Sequence, residues 1–421
     1  MPHPRLARRV PRPADLAPFL RMRSASGSLA ERRVATAHTI ADLRRLARVR
    51  TPAGPFHYVD GGAEEEVSMR RARQAFADIV FHPGILRDVH DVDTTTSVLG
   101  GTSALPFGFG PTGGTRMMHA AGEQAVARVA ARTGIPYALS TVGTTTIADF
   151  AAASGSGRRW FQMYLLADRD RSLHMLAEAE RRGFDALIVT VDVPTGGNRL
   201  RDLRYGMSYP PQLTPRTFLD ASWRVGWWFD LLTTEPYRFT YEEQADAGSG
   251  ITTLTGFYDD RVTFDDLAWM REAWSGPIVI KGIQTFDDAS RAADAGADGI
   301  VLSNHGGRQL DRTAPPLHLL PTVAARHGAS MEVMLDTGVR TGADVVAAIA
   351  AGASFVLVGR AYLYGLMAGG EAGVERAAHI LRTEVERTMR LLGVRSIAEL
   401  GPEHVTLLTR TQPVAVEIVA E

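Results

Sequence analysis

Eight short apolar runs, each trailed by a helix-like stretch, constrain this chain more than any other feature. They are Leu105–Pro111, Pro136–Ser140, Trp160–Leu165, Ala186–Asp192, Ile278–Gly282, Gly299–His305, Glu332–Gly338 and Phe355–Gly359. Their apolar residues are continuous rather than alternating, as in strands buried on both faces of a parallel sheet. Helix candidates lie between them, among them Gly122–Arg132, Arg171–Arg182, Phe286–Ala295 and Gly342–Ala351. Eight βα units predict a closed (β/α)8 TIM barrel. A doubly wound open sheet is the alternative, and the count favours closure.

One connection breaks the rhythm. Most strand starts are roughly 20–35 residues apart, as a βα repeat requires. The step from Ala186 to Ile278 is about three times longer, so an insertion between strands four and five is expected over about 205–262. It holds Pro210-Pro211, then Trp223, Trp227, Trp228 and Phe229, then the Gly/Ser-rich Ala247–Gly250. Such a segment acts as a lid or a binding loop. Its aromatic residues suit a membrane interface or packing back onto the barrel.

The chain thus divides into an arm with a short helix (1–50), the barrel with its insertion (51–410) and a tail (411–421). The arm carries twelve Arg against Asp15, Glu31 and Asp42. Pro2, Pro4, Pro11 and Pro13 make its start non-helical, and a short amphipathic helix is expected over Thr39–Ala47 with Thr39 at the cap. The arm is either a solvated tail or a segment that packs on a neighbour subunit or touches anionic lipid.

Composition removes several function classes. Net charge is −1, which argues against a nucleic-acid binder. With no Cys there are no disulfides, iron–sulfur clusters, thiolate zinc sites or thiol nucleophiles. His57, His82 and His90 lack ligand spacing, and no metal site is expected. The sequence has no apolar run of bilayer length and no signal-peptide h-region. The reading is a cytoplasmic protein, with peripheral contact at the inner face of the cell membrane left open. One further count stands out: among 46 basic side chains only Lys281 is Lys.

A barrel of this kind carries its site at the C-terminal ends of its strands. Strand one ends in Pro111-Thr112-Gly113-Gly114, strand two in Ser140-Thr141, and strand three brings Gln162 and Tyr164. Strand four ends in Thr190-Val191-Asp192 with Arg199 beyond it, and strand five ends in Lys281-Gly282. Strand six delivers Ser303, His305 and Arg308, strand seven Asp336, Gly338 and Arg340, and strand eight Gly359-Arg360. Glycine backbone with Arg340 and Arg360 after the last two strands suits a phosphate. His305 with Asp192 is an acid/base pair, since a carboxylate fixes the imidazole tautomer and supports its charged form. Arg199 and Arg308 have the fork geometry to grip a carboxylate.

The segment Ser303–Asp311 (SNHGGRQLD) is specific. With Tyr58–Ala63 (YVDGGA), Phe161–Tyr164, Thr190–Asp192, Val279–Gly282 and Gly359–Tyr362, it resembles the FMN-dependent α-hydroxy acid dehydrogenase/oxidase family over about residues 39–410. Within that family Trp228–Pro236 and Gly359–Gly373 are most similar to actinobacterial, respiratory-type L-lactate dehydrogenases.

The resemblance implies FMN as cofactor and oxidation of an L-2-hydroxy acid, lactate first, to the 2-oxo acid. Electrons pass to a quinone or another carrier, and a homotetramer is implied. His305 is then the base and Asp192 stabilises its imidazolium. Arg308, Arg199 and Tyr58 bind the substrate carboxylate, and Tyr164 hydrogen-bonds the substrate oxygen. Pro111, Thr112, Gly113, Ser140, Gln162 and Thr190 hold the flavin ring, and Lys281 lies by its N1/C2 carbonyl side with Ser303 nearby. Asp336, Gly338, Arg340, Gly359 and Arg360 hold ribityl and phosphate. An oxygen-using oxidase or monooxygenase acting on a bulkier acid such as mandelate is the alternative. Two departures bear on this. Thr337 stands where family members often carry Gly, and its hydroxyl is expected to be tolerated within reach of the phosphate. The segments Val142–Thr144 and Pro194–Asn198 are variable in character and leave a bulkier 2-hydroxy acid open beside lactate.

Overall fold

The computed structural model describes residues 27–207, 214–242 and 258–408, with Val10, Arg12 and Asp15. Pro2, Pro4, Pro11, Pro13, Pro210-Pro211, Ala247–Gly250 and the tail 411–421 lie outside the described residues.

The eight apolar runs become eight parallel strands. They are β1 (Phe107–Phe109), β2 (Tyr137–Ser140), β3 (Arg159–Tyr164), β4 (Ala186–Thr190), β5 (Ile278–Ile283), β6 (Gly299–Leu302), β7 (Glu332–Leu335) and β8 (Phe355–Val358). They pair in sequence order and β8 pairs with β1, which closes the barrel. Both faces are buried, hence the absence of polar alternation. Trp160, Ile188, Val279, Val301, Met334 and Phe355 fill the interior, together with Val98 and Leu99 from a hairpin. The expected helices form close to their predicted bounds, as Gly122–Thr133, Arg169–Arg181, Phe286–Asp294 and Gly342–Ala350.

The strands end earlier than expected. β6 stops at Leu302, β7 at Leu335 and β4 at Thr190. The polar residues that follow are therefore on turns. His305, Gly306 and Gly307 are all left-handed, with φ of 56°, 66° and 72°. That turn cannot continue a strand.

Outside the barrel, α1 (Leu29–Val34), α2 (Ile40–Arg50), α3 (Ala53–Asp60) and α4 (Val67–Ala77) precede β1. Thr39 caps α2 through a capping box, as expected. Residues 29–50 fold onto the chain itself. α1 and α2 pack on the chain's own last helix, α8 (Arg360–Leu392), and Arg376 Nε donates to Ala37 O at 2.8 Å. Between β4 and β5 lie α5 (Leu200–Arg204), α6 (Pro215–Ser222) and α7 (Val225–Thr233). Trp227 packs back, its indole N–H donating to Met117 O and Met118 O at 3.2 Å. Trp223 is 82% exposed and Leu232 is 74% exposed, so the aromatic stretch faces both ways. Among the described residues no helix is long and apolar enough to cross a membrane.

Candidate active site

Strand register lines up the rim. Tyr164 is paired with Thr190, and Thr190 with Lys281. Lower down, Ser140 is opposite Gln162 and donates to its Oε1 at 2.7 Å. A bulge follows Lys281 at Gly282, whose φ is 113°. A Cβ there would lie 2.7 Å from Asp192 Cβ. Only glycine lets the end of β4 close on β5 and aim Asp192 inward.

Asp192 Oδ1 and His305 Nδ1 are 2.9 Å apart. Burial pushes the Asp192 carboxyl up, but His305 and Lys281 outweigh it and hold the group below the usual carboxylate value. His305 Nε2 is thereby turned to the other side, 3.5 Å from the Tyr164 hydroxyl. The phenol is pushed well above its ordinary value by burial, then by Tyr258 and Asp192, so it remains a hydrogen-bond donor.

Arg199 and Arg308 meet over one ring. Their guanidinium carbons lie 5.0 and 4.7 Å from the centroid of Tyr58. Arg199 Nε pairs with Asp202 Oδ2 at 3.1 Å, while Arg308 donates to the carbonyls of Tyr58 and Gly61. Burial and the neighbouring Arg199 charge lower the Arg308 value. Burial opposes the Arg199 charge too, but Tyr58 and Asp202 outweigh it, so an anion entering between the two would chiefly steady Arg308.

The lone lysine is buried at the centre of the rim. Its ammonium contacts Asp336 Oδ2 at 2.9 Å and donates to Ser303 Oγ at 3.0 Å. Burial works against its charge, but Asp336 and Asp192 more than offset this and raise its value, so the ammonium form persists.

At the far end two of the expected residues also hold the protein's own groups. Arg360 was expected to face a phosphate, yet three of its N–H groups hold backbone: Nε to Val59 O, and the terminal nitrogens to Gly306 O and Gly61 O, at 2.7–2.8 Å. Two of its five donors remain. Burial, then Arg340 and Arg308, push its value down to about 9. The Thr337 hydroxyl is engaged within the rim. It donates to Asp336 Oδ1 at 2.7 Å.

One cavity of about 740 Å³ joins these groups. Tyr58, Pro111, Thr112, Gly113, Tyr164, Thr190, Arg199, Lys281, His305, Arg308, Asp336, Gly338, Arg340, Gly359 and Arg360 line it. Ser140, Gln162, Asp192 and Ser303 stand behind this wall. Gln162 Nε2, Thr190 Oγ1 and Arg340 NH1 are buried donors without a partner among the described residues. Each orphan costs about 1–3 kcal/mol unless a ligand supplies an acceptor. Donors at the ring level and a guanidinium at the far end fit FMN, which carries carbonyl oxygens at one end and a phosphate at the other.

Several residues at this site were not found from the sequence. Met207, Phe239, Tyr241 and Tyr258 from the insertion line the same cavity. Glu123 is buried and accepts the N–H of Thr144 at 2.7 Å and of Thr115 at 3.3 Å, tying the loops after β2 and β1. Burial raises its carboxyl. Asp60 accepts from Arg44, Arg201 and Tyr364 at 2.5–2.9 Å and anchors α3, which carries Tyr58. A carboxylate two residues after a candidate tyrosine was the available signal for Asp60. Nothing local marked Glu123.

Known proteins agree with this geometry. A profile of the FMN-dependent dehydrogenase family matches residues 47–407. A Mycobacterium tuberculosis protein with a provisional L-lactate dehydrogenase name is 56% identical over 97% of this chain and 98% of its own. The L-lactate dehydrogenase of Caulobacter vibrioides is 41% identical over 86% of this chain and 95% of its own. Among solved structures, (S)-mandelate dehydrogenase, described as a monotopic membrane protein, has a TM-score of 0.85 at 33% identity, covering 89% of this chain and 100% of that one. Mandelate oxidase has a TM-score of 0.74 at 35% identity, covering 88% of this chain and 98% of that one. The barrel, its buried polar mouth and these matches together place the chain in the FMN-dependent dehydrogenase family, as an oxidoreductase that acts on a CH–OH group with FMN as its cofactor.

Proposed function

We propose that the chain oxidises L-lactate to pyruvate and passes the electrons to a quinone or another carrier rather than to oxygen. The observation that carries this is the convergence of Arg199, Arg308, Tyr58, Tyr164 and the His305–Asp192 pair on one cavity. The relatives named L-lactate dehydrogenase support lactate as the substrate.

The residues divide the work as follows. Arg308 and Arg199 take the substrate carboxylate between them, and their mutual repulsion falls when that anion arrives. Tyr58 adds a hydroxyl there. The Tyr164 phenol donates to the substrate oxygen and orients it. His305 Nε2 accepts one proton, and Asp192 stabilises the imidazolium that results. FMN, when bound, supplies the two-electron acceptor for the substrate. Lys281 places a compact ammonium where negative charge develops in the ring. Ser140, Gln162, Thr190 and the Pro111–Gly113 backbone hold the ring. Asp336, Gly338, Arg340 and Gly359 hold ribityl and phosphate, with Arg360 bracing the wall and lending its two free donors. Homotetrameric assembly belongs to the same reading.

A second feature supports a peripheral place at the inner face of the membrane, where a quinone would be met. Phe218 and Leu219 on α6, Trp223 just after it, and Phe229 and Leu232 on α7 are all exposed. An apolar face of this kind suits a lipid interface.

The acceptor is tested in air with L-lactate, by comparing dye or quinone-analogue reduction with peroxide formation. Dye reduction far ahead of peroxide is expected. Peroxide matching oxygen consumption would favour the oxygen-using alternative.

A further inference from the structure

The mouth contains a strained residue that the reaction as described leaves idle. Thr337 has a φ of 69°, inside the left-handed region, where a β-branched side chain is a rare outlier. Glycine would sit there without strain. The fold keeps threonine, and its hydroxyl makes three hydrogen bonds. It donates to Asp336 Oδ1 at 2.7 Å. It accepts the N–H of Asn304 at 3.3 Å and that of Gly306 at 3.2 Å. One donor and two acceptor positions are all that a hydroxyl has.

Those two N–H groups flank His305. The N–H of His305 itself goes to Ser303 Oγ at 3.0 Å. Ser303 Oγ accepts from Lys281, and Lys281 pairs with Asp336. The contacts form a closed ring: His305 turn, Ser303, Lys281, Asp336, Thr337 and back to the turn. Three successive N–H groups of a left-handed turn form a concavity that otherwise draws in an anion or water. Here two hydroxyls close it, and the turn that aims His305 has its donors fixed.

We propose that Thr337 is a positioning residue of the reaction: its hydroxyl fixes the left-handed turn that carries His305 and couples that turn to the Lys281–Asp336 pair. The proposal rests on the reading of His305 as the base. Thr337 touches neither the reacting carbon nor the proton. It acts through the orientation of His305, so its loss lowers kcat rather than substrate binding, which belongs to Arg199 and Arg308.

The test uses the full chain loaded with FMN and four variants. Thr337→Val keeps the β-branch and the strain but removes the hydroxyl, Thr337→Ser keeps the hydroxyl, and Thr337→Gly removes both strain and hydroxyl. His305→Gln is measured alongside. For Thr337→Val, kcat falls about tenfold, from a turn left with two unaccepted N–H groups, while KM stays within about twofold. FMN affinity, read by quenching of FMN fluorescence, stays within about threefold, because the hydroxyl faces the turn and Asp336. Thr337→Ser returns to within about twofold of the parent in kcat. Thr337→Gly stays low although its strain is gone. If Thr337→Val fails to fold, the Ser and Gly pair carries the same comparison. The proposal is overturned if Thr337→Val or Thr337→Gly turns over like the parent. It is also overturned if Ser is no better than Val, or if kcat and FMN affinity fall together. If His305→Gln keeps full turnover, the base assignment fails instead, whatever Thr337 does.

Discussion

The barrel mouth and the α6–α7 segment follow opposite rules. In the mouth, polar and charged groups are buried: Lys281 is 5% exposed and paired with Asp336, and Asp192 is paired with His305. On α6 and α7, large apolar side chains are exposed, and the polar groups make short local bonds such as Arg224 to Asp220. A buried polar group is costly without a partner, and an exposed apolar one is cheap singly but not in a patch. The mouth therefore holds groups whose partners a ligand must complete. The α6–α7 face holds exposed apolar surface, which the proposed membrane contact would use.

The largest break in that comparison is His305→Gln. FMN stays bound, and turnover drops by about 10²–10⁴-fold, the usual range for loss of an acid–base group. Steady-state rates with a dye, beside the flavin spectrum, measure both. Next is Arg308→Lys. The point charge persists but the fork is lost, so KM rises roughly tenfold or more while FMN content is unchanged. An unaltered KM would remove Arg308 from the carboxylate site.

Asp60→Asn probes the support of the mouth rather than its chemistry. Burial opposes the Asp60 charge, but Arg44, Tyr364 and Arg201 outweigh it and hold the carboxyl well below its ordinary value. A depressed carboxylate gives stability that is complete above its unfolded pKa and is lost as the pH falls toward the folded one. The melting temperature of the parent should thus fall as pH drops below about 4. Asn at this position costs about 3–5 kcal/mol at neutral pH and flattens that acid slope. A melt insensitive to the change would show that the cluster does not hold α3. The smallest effect on chemistry belongs to Trp223→Ser with Phe229→Ser. Turnover with a soluble dye is unaltered, while sedimentation with anionic liposomes decreases. Liposome binding equal to the parent's would leave the apolar face without a membrane role.

The two regions also differ in how far they were legible from the chain. The barrel was readable because runs such as β4 and β8 are short, apolar and rich in β-branched residues, and helix-like stretches alternate with them. Most rim residues were readable because they lie at or just past a strand's C-terminal end, whereas Tyr58, on α3 before β1, came only with the family resemblance. The left-handed turn at His305 was not readable, since a histidine gives no sign of positive φ. Nor was the Asp60–Arg201 contact, because its partners are 141 residues apart and only the closed barrel brings them together. Thr337 stands out in the chain as a departure from glycine, but the partners of its hydroxyl are set by the fold. In α6–α7 the sequence left lipid and barrel as alternatives. Trp227 on α7 is held inward on the barrel, while Trp223, between α6 and α7, is turned out.

The lone lysine has gained a physical reason. A guanidinium in its place would have to fit a broad planar fork between Ser303, Asp336 and the flavin site, where a compact ammonium makes both contacts.

The central claim is that this mouth removes two hydrogens, and with them two electrons, from a small 2-hydroxy acid, one hydrogen leaving as a proton to His305. Anaerobic addition of L-lactate to the FMN-loaded chain, followed at the visible flavin absorbance, tests it most directly. The account predicts rapid bleaching in the parent and bleaching slowed by orders of magnitude in His305→Gln. A chain that binds FMN and stays yellow with L-lactate, mandelate and glycolate alike would contradict it.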